Sequence, residues 1–120
     1  MTGVLGKIVS ELEAVCPVGE GWVSSETQYP YTTYSYNAET TEQRGDTTLT
    51  LDVWDRNTIA TTVESISAQI RQKLDRQIFK DNDKFVWCYL DTQSSIRDED
   101  PQIKRRRLIF IIHDYAIGGN

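Results

Sequence analysis

The residues able to do chemistry are few, and their spacing tests three ideas. Asp52 and Asp55 stand three apart near the end of an alternating stretch, and converging carboxylates can hold a divalent cation. On a strand, residues three apart face opposite sides, so this pair does not reach one ion without a bulge. His113 is the only histidine, and Asp114 follows it. Neighbouring strand residues also point to opposite faces, so the two lack the spacing of a catalytic dyad, and a lone histidine brings no second ligand. Asp83-Lys84 lacks the acid-x-Lys spacing of a nuclease site. There is no Gly-rich phosphate loop and no serine in a nucleophile elbow. The residues predict no catalytic, metal or cofactor site.

Charge is the more unusual feature. Lys104, Arg105, Arg106 and Arg107 are consecutive, and on a strand they put two cations on each face, which resists burial in a simple core. One reading is a solvated hairpin arm guarded against edge aggregation. The other is a contact with an acidic protein surface or a nucleic-acid backbone. Asp98, Glu99 and Asp100 lie just across the preceding turn, placed to neutralise the cations within the chain or on a neighbouring subunit. Trp22 sits in a Gly-flanked loop, either as a lid over the core or as an exposed aromatic at a partner surface. These eight residues are the candidate interface.

The elements that must position them follow from hydrophobic period. Residues 47–55 alternate, with Leu49, Leu51 and Val53 on one face and Thr48, Thr50 and Asp52 on the other, the mark of a half-buried strand. After a turn at Arg56 and Asn57, Ile59, Val63, Ile66, Ile70 and Leu74 make one helical stripe. That helix is expected to start near Asn57 or Thr58, with Thr61 and Glu64 as a capping box if it starts later, and to run to about Ile78. Upstream, residues 3–15 read as an amphipathic helix capped by Thr2 and stopped by Pro17 and Gly19; residues 29–36, with four tyrosines, read as a strand. Residues 37–46 form a polar hairpin tip. Residues 84–91 alternate with both sides apolar, predicting a strand that is central or covered on both faces. Residues 92–101 form a second polar loop, 103–115 the last strand, and 116–120 a fraying tail.

The expected fold is α+β: a mainly antiparallel four-stranded sheet with two helices packed on one face, in the order helix, hairpin, helix, hairpin. The 120 residues suit a single domain over 1–120, long enough to bury about two-thirds of its unfolded surface. A net charge of −5 argues against a surface that coats DNA or anionic membrane. Cys16 and Cys88 stand far apart in the sequence and form no CxxC or Cys/His cluster; two free, buried thiols in a reducing cytoplasm are expected, with a disulfide between them as the other reading. The longest apolar run, 108–112, is too short to span a bilayer, and the start of the chain lacks a signal peptide's apolar core, so a cytoplasmic origin is expected.

Two phrases carry a resemblance. Pro30-Tyr31-Thr32-Thr33-Tyr34 precedes Leu49-Thr50-Leu51-Asp52-Val53-Trp54-Asp55, and a helix with Val63-Glu64-Ser65-Ile66 follows. This resembles the tail terminator (tail completion, head–tail joining) proteins of long-tailed bacteriophages and prophages, in which a P-Y/F-x-x-Y strand is followed by a D-x-W-D strand and a helix. The likeness covers most of residues 1–115; the run 104–107 and the loop before it have no match in the pattern. It implies a homo-hexameric ring at the head-proximal end of the virion tail. Such a ring caps the tail tube protein, offers a docking surface to the head-completion or connector protein, and lets DNA pass without specific binding. It works without turnover, cofactor or membrane. Two other readings stand beside it: a small nucleic-acid or protein binding module using the basic arm 104–107, and a metal-dependent enzyme resting on Asp52, Asp55 and His113.

Overall fold

The alternating stretch at 47–55 does become a strand, but in a larger sheet than the pattern predicts. The computed structural model describes residues 3–22, 28–40, 45–81 and 84–116. In order it has α1 (Gly3–Glu13), β1 (Val18–Glu20), β2 (Tyr31–Thr40), β3 (Gly45–Arg56), α2 (Thr61–Leu74), β4 (Gln77–Asp81), β5 (Lys84–Arg97) and β6 (Ile103–Ala116). These form one six-stranded sheet in the order β1-β2-β3-β6-β5-β4, curled into a half-barrel. β1 runs parallel to β2 while every other pair is antiparallel. The expected four-stranded antiparallel sheet is therefore replaced by a six-stranded mixed one; the class remains α+β.

Both added strands are short edge strands without a local signature. β1 is three residues long and falls in the Gly-rich stretch read as a loop. It is fixed from outside by the N–H of Thr32 donating to the Pro17 carbonyl (2.8 Å) and that of Gly21 to the Tyr34 carbonyl (2.7 Å). β4 occupies what was expected to be the end of the second helix. That helix stops at Leu74 because Asp75 is extended and Arg76 takes a positive φ of 61°, which a helix cannot continue through. Ile78 consequently lies on an edge strand and is 66% exposed.

The helix also begins later than expected, at Thr61, with no side-chain cap and with Ile59 outside it. The polar loops shrink for the opposite reason. β2 and β3 stay paired to Thr40↔Gly45, and β5 stays paired to Arg97↔Lys104 past an irregularity between Leu90 and Thr92. Backbone pairing needs no apolar side chain, so polar sequence did not end these strands. Of the expected tip 37–46, residues 41–44 lie outside the described residues, as do the proposed cap Thr2 and tail residues 117–120.

One core joins both layers. Ile8 and Leu12 of α1 and Val63, Ile66, Ile70 and Leu74 of α2 pack against Leu49, Leu51, Val53, Leu108, Phe110 and Ile112. Both helices thus cover the same face of the sheet, and each fully buried aliphatic side chain contributes about 1.5–3 kcal/mol. Among the described residues, no helix lies over the opposite face. β5 is fifth of six strands rather than central, and while Val86 and Cys88 are buried against the helices, Trp87 on the other side is 39% exposed. Both-sided apolarity does not mark a covered strand here.

Candidate functional site

The basic run opens β6, where it pairs with the end of β3: Asp55↔Lys104, Trp54↔Arg105, Val53↔Arg106 and Asp52↔Arg107. On its other side it pairs with the end of β5, from Ser94↔Arg107 to Arg97↔Lys104. Strand alternation divides the four cations two to a face. Arg105 and Arg107 lie on the face away from the helices, and Lys104 and Arg106 on the helix face.

On the open face, Asp52 holds both arginines. Arg105 Nη2 donates to Asp52 Oδ2 at 2.8 Å, while Arg107 donates Nε to Oδ1 at 2.9 Å and Nη2 to Oδ2 at 3.1 Å. The second contact is the two-pronged geometry that makes guanidinium–carboxylate pairs strong. Burial pushes the Asp52 carboxyl up, but the hydrogen bonds and charges of Arg107 and Arg105 outweigh it and hold the group below its ordinary value. The Arg105 guanidinium also lies 4.2 Å from the centre of the Trp54 ring, a cation–π contact. Trp54 Nε1 in turn donates to Thr33 Oγ1 at 3.1 Å, and Tyr31 stacks on Trp54 with Tyr29 on Tyr31. Asp52 and Trp54, two apart, thus share a face and brace the basic strand.

On the helix face, Arg106 Nη2 donates to Glu64 Oε1 of α2 at 3.0 Å, and Lys104 Nζ donates to the Pro101 carbonyl at 2.6 Å. The acids expected to neutralise the run are used otherwise. Asp98 Oδ1 accepts the N–H of Asp100, Asp100 Oδ1 accepts that of Gln102, and Asp100 Oδ2 pairs with Arg56 at 3.1 Å. These two acids shape the β5–β6 turn, and Glu99 is exposed at its tip. Neutralisation comes from Asp52, weighed above only as a metal ligand, and Glu64, neither among the eight interface residues and both more than 40 residues away in sequence. For this pairing the sequence signal at Asp52 was a lone carboxylate beside Thr48 and Thr50 on the polar strand face. Trp22 is 73% exposed and is no lid over the core.

The turn and the start of α2 enclose an open cleft of about 700 Å³. Its lining includes Ala60, Val63, Pro101, Arg97, Lys104 and Arg106.

The residues weighed for catalysis sit apart. Asp52 and Asp55 face opposite sides of β3, as their spacing predicts, and both are buried. His113 Nε2 lies 3.1 Å from the Tyr89 hydroxyl, and its ring stacks against Trp87 on the open face. Cys16 and Cys88 are free and buried. Burial, with a smaller contribution from Asp75, pushes the Cys88 thiol up to about 12, far from the thiolate form that reacts. Among the described residues no three His, Cys, Asp or Glu side chains gather as a metal site, and no helix is long and apolar enough to cross a membrane.

Comparison with known proteins finds both a family and a fold. The family model described as tail completion protein gp17 matches residues 20–113. A chain from the solved structure titled "Virion of native gene transfer agent (GTA) particle" aligns with a TM-score of 0.70 over 95% of this chain and 98% of that one. At 11% identity this is a likeness of fold. No curated protein matches the chain.

Proposed function

The chain belongs to the tail completion protein gp17 family, and from that premise we propose that it ends the tail tube of a long-tailed phage as a ring of six copies. It is a bacteriophage tail completion protein and a structural component of the virion. In this reading the ring sits at the head-proximal end of the tail. One surface stops the tail tube protein from adding further, and the other receives the head-completion or connector protein. The work is assembly, without turnover or cofactor.

The family match across residues 20–113 carries the proposal. The fold supports it in two ways. The β2–β3 and β5–β6 hairpins are long, paired arms that suit contacts between subunits, and the −5 charge disfavours adhesion of DNA to a lumen by repulsion. Within the candidate interface, Arg105 and Arg107 brace the arm through Asp52. Trp22, Lys104, Arg106 and the turn bearing Asp98, Glu99 and Asp100 offer the contacts. Two surfaces of opposite function on one subunit favour a heterologous, closed ring.

The test is genetic and visual. Lysates of phage lacking this gene should contain filled heads and separate, overlong tails, and adding the purified protein should restore joined particles. Negative-stain images of purified protein mixed with tails should show six-fold rings at the tail end. Joined particles of normal tail length without the protein would sink the proposal.

A further inference from the structure

The cleft between the first turn of α2 and the β5–β6 arm is not explained by the fold. Ala60, Val63 and Pro101 give it an apolar side, and Arg97, Lys104 and Arg106 a cationic one, with Asp98 and Glu99 at the turn. On a chain of net charge −5 this is a local reversal of sign. Arg105 also lines the cleft, but its guanidinium is engaged with Asp52.

Arg106 is the centre of the cleft's chemistry. Its side chain is only 18% exposed, and its Nε is buried with no hydrogen-bond partner. Its acid, Glu64, is 63% exposed and meets it through a single contact between Nη2 and Oε1. The half-buried cation is therefore the fixed member and the solvated carboxylate the replaceable one, because displacing an exposed side chain forfeits little. Ala60 and Pro101 line the same cleft, so apolar surface lies within it beside the charge.

We propose that this cleft docks an extended acidic segment of another virion protein, whose carboxylate takes the place of Glu64 on Arg106 while its aliphatic neighbours cover Ala60 and Pro101. The inference rests on the reading of the chain as an assembly protein and names the chemistry of one partner. Charge complementarity selects the occupant: recognition of acidic motifs by arginines is a recurring mode, and carboxylate fits the guanidinium in a way that adds direction to attraction. Phosphate backbones fit less well, because a peptide can alternate carboxylates with aliphatic side chains that cover Ala60 and Pro101, and a phosphate backbone carries charge at every unit. Glu64 acts as an internal stand-in that raises the threshold for weakly acidic segments.

Fluorescence anisotropy on the full chain tests this with three probes: a labelled octapeptide of alternating Glu and Leu, its counterpart of alternating Gln and Leu, and a labelled single-stranded oligonucleotide. The Glu probe should bind saturably, and Arg106→Gln should weaken it by about tenfold, the size of one lost charged hydrogen bond. Glu64→Gln should tighten it severalfold, since the competitor is gone. Damage to the fold cannot give that opposite sign. Equal binding of the Gln probe, or weaker binding by Glu64→Gln, overturns the proposal. Tighter binding of the oligonucleotide than of the Glu probe reassigns the cleft to phosphate. Sedimentation in which Glu64→Gln promotes self-association instead would make the occupant a second copy and overturn the choice of partner. Failure here with heads and tails still joined by the purified protein removes the cleft proposal alone. Failure of joining by the wild-type protein removes the assembly reading instead.

Discussion

Along the β3–β6 ladder, the pairs Leu49↔Phe110 and Leu51↔Leu108 run without a break into Val53↔Arg106 and Asp55↔Lys104. The first pairs lie under α2 and α1 with all four side chains fully buried. One step further, the same helix face carries Arg106 against Glu64, and the opposite face carries Asp52 between Arg105 and Arg107. Register and hydrogen bonding are the same in both halves; what changes is the force that holds the side chains. The body is kept by apolar burial. The arm is kept by a few charge pairs, and so can be altered, or recruited by a partner, without unfolding the body.

The largest effect that separates the halves is in the body. Phe110→Ala should cost about 3–5 kcal/mol, because it removes a fully buried ring and leaves a cavity. Urea denaturation followed by circular dichroism measures it, and a cost under about 1 kcal/mol would mean that the core closes around the gap.

In the arm, Asp52→Ala should cost about 2–3 kcal/mol, less than the upper figure for a buried pair because the two arginines retain partial access to water. Replacing Asp52, Arg105 and Arg107 together by apolar residues of similar size should recover most of that loss, since no charge is then left unpaired. If the triple variant is as unstable as Asp52→Ala, the network stabilises the arm by more than satisfying its own charges.

How much of this was readable beforehand divides along the same line. The body was legible: period two at Leu49, Leu51 and Val53 and the stripe Val63, Ile66, Ile70 and Leu74 are local signals, and burial follows them. The arm was legible only as a charge anomaly. The two-by-two split of the cations follows from alternation, but their partners Asp52 and Glu64 arrive through register between distant strands and a helix. No spacing in the chain announces such pairings. The edges failed for a third reason. β1 and β4 are too short for periodicity, and the helix end at Asp75 and Arg76 is set by backbone torsions at residues that could equally continue a helix. The D-x-W-D phrase was visible without its meaning, which is that Asp52 and Trp54 together hold Arg105.

A smaller effect comes from pH. The folded Asp52 carboxyl lies below its ordinary value, so its stabilisation is present above the unfolded value of about 3.9 and is lost as pH falls through the folded value. Wild type should therefore exceed Asp52→Asn in melting temperature at neutral pH, and the gap should narrow as pH falls below about 4. A gap constant from pH 7 to pH 2 would show that the loss in Asp52→Asn is one of packing and not of charge.

The smallest effect on stability is expected where the effect on binding is most informative. Glu64→Gln removes the acid from a pair whose carboxylate is 63% exposed, and exposed partners of this kind contribute about 0–1 kcal/mol. Arg106 remains 18% exposed and can still donate to the amide oxygen, so the variant should melt within a degree or two of wild type, consistent with a few tenths of a kcal/mol on a domain of this size. A loss above about 1.5 kcal/mol would place Glu64 among the braces of the arm, alongside Asp52. A negligible loss keeps it on the other side of the comparison, as a side chain that occupies the cation without being needed to hold the fold. Only a residue of that second kind can yield its place to a partner's carboxylate at little cost, so this denaturation curve decides whether the cleft is free to open.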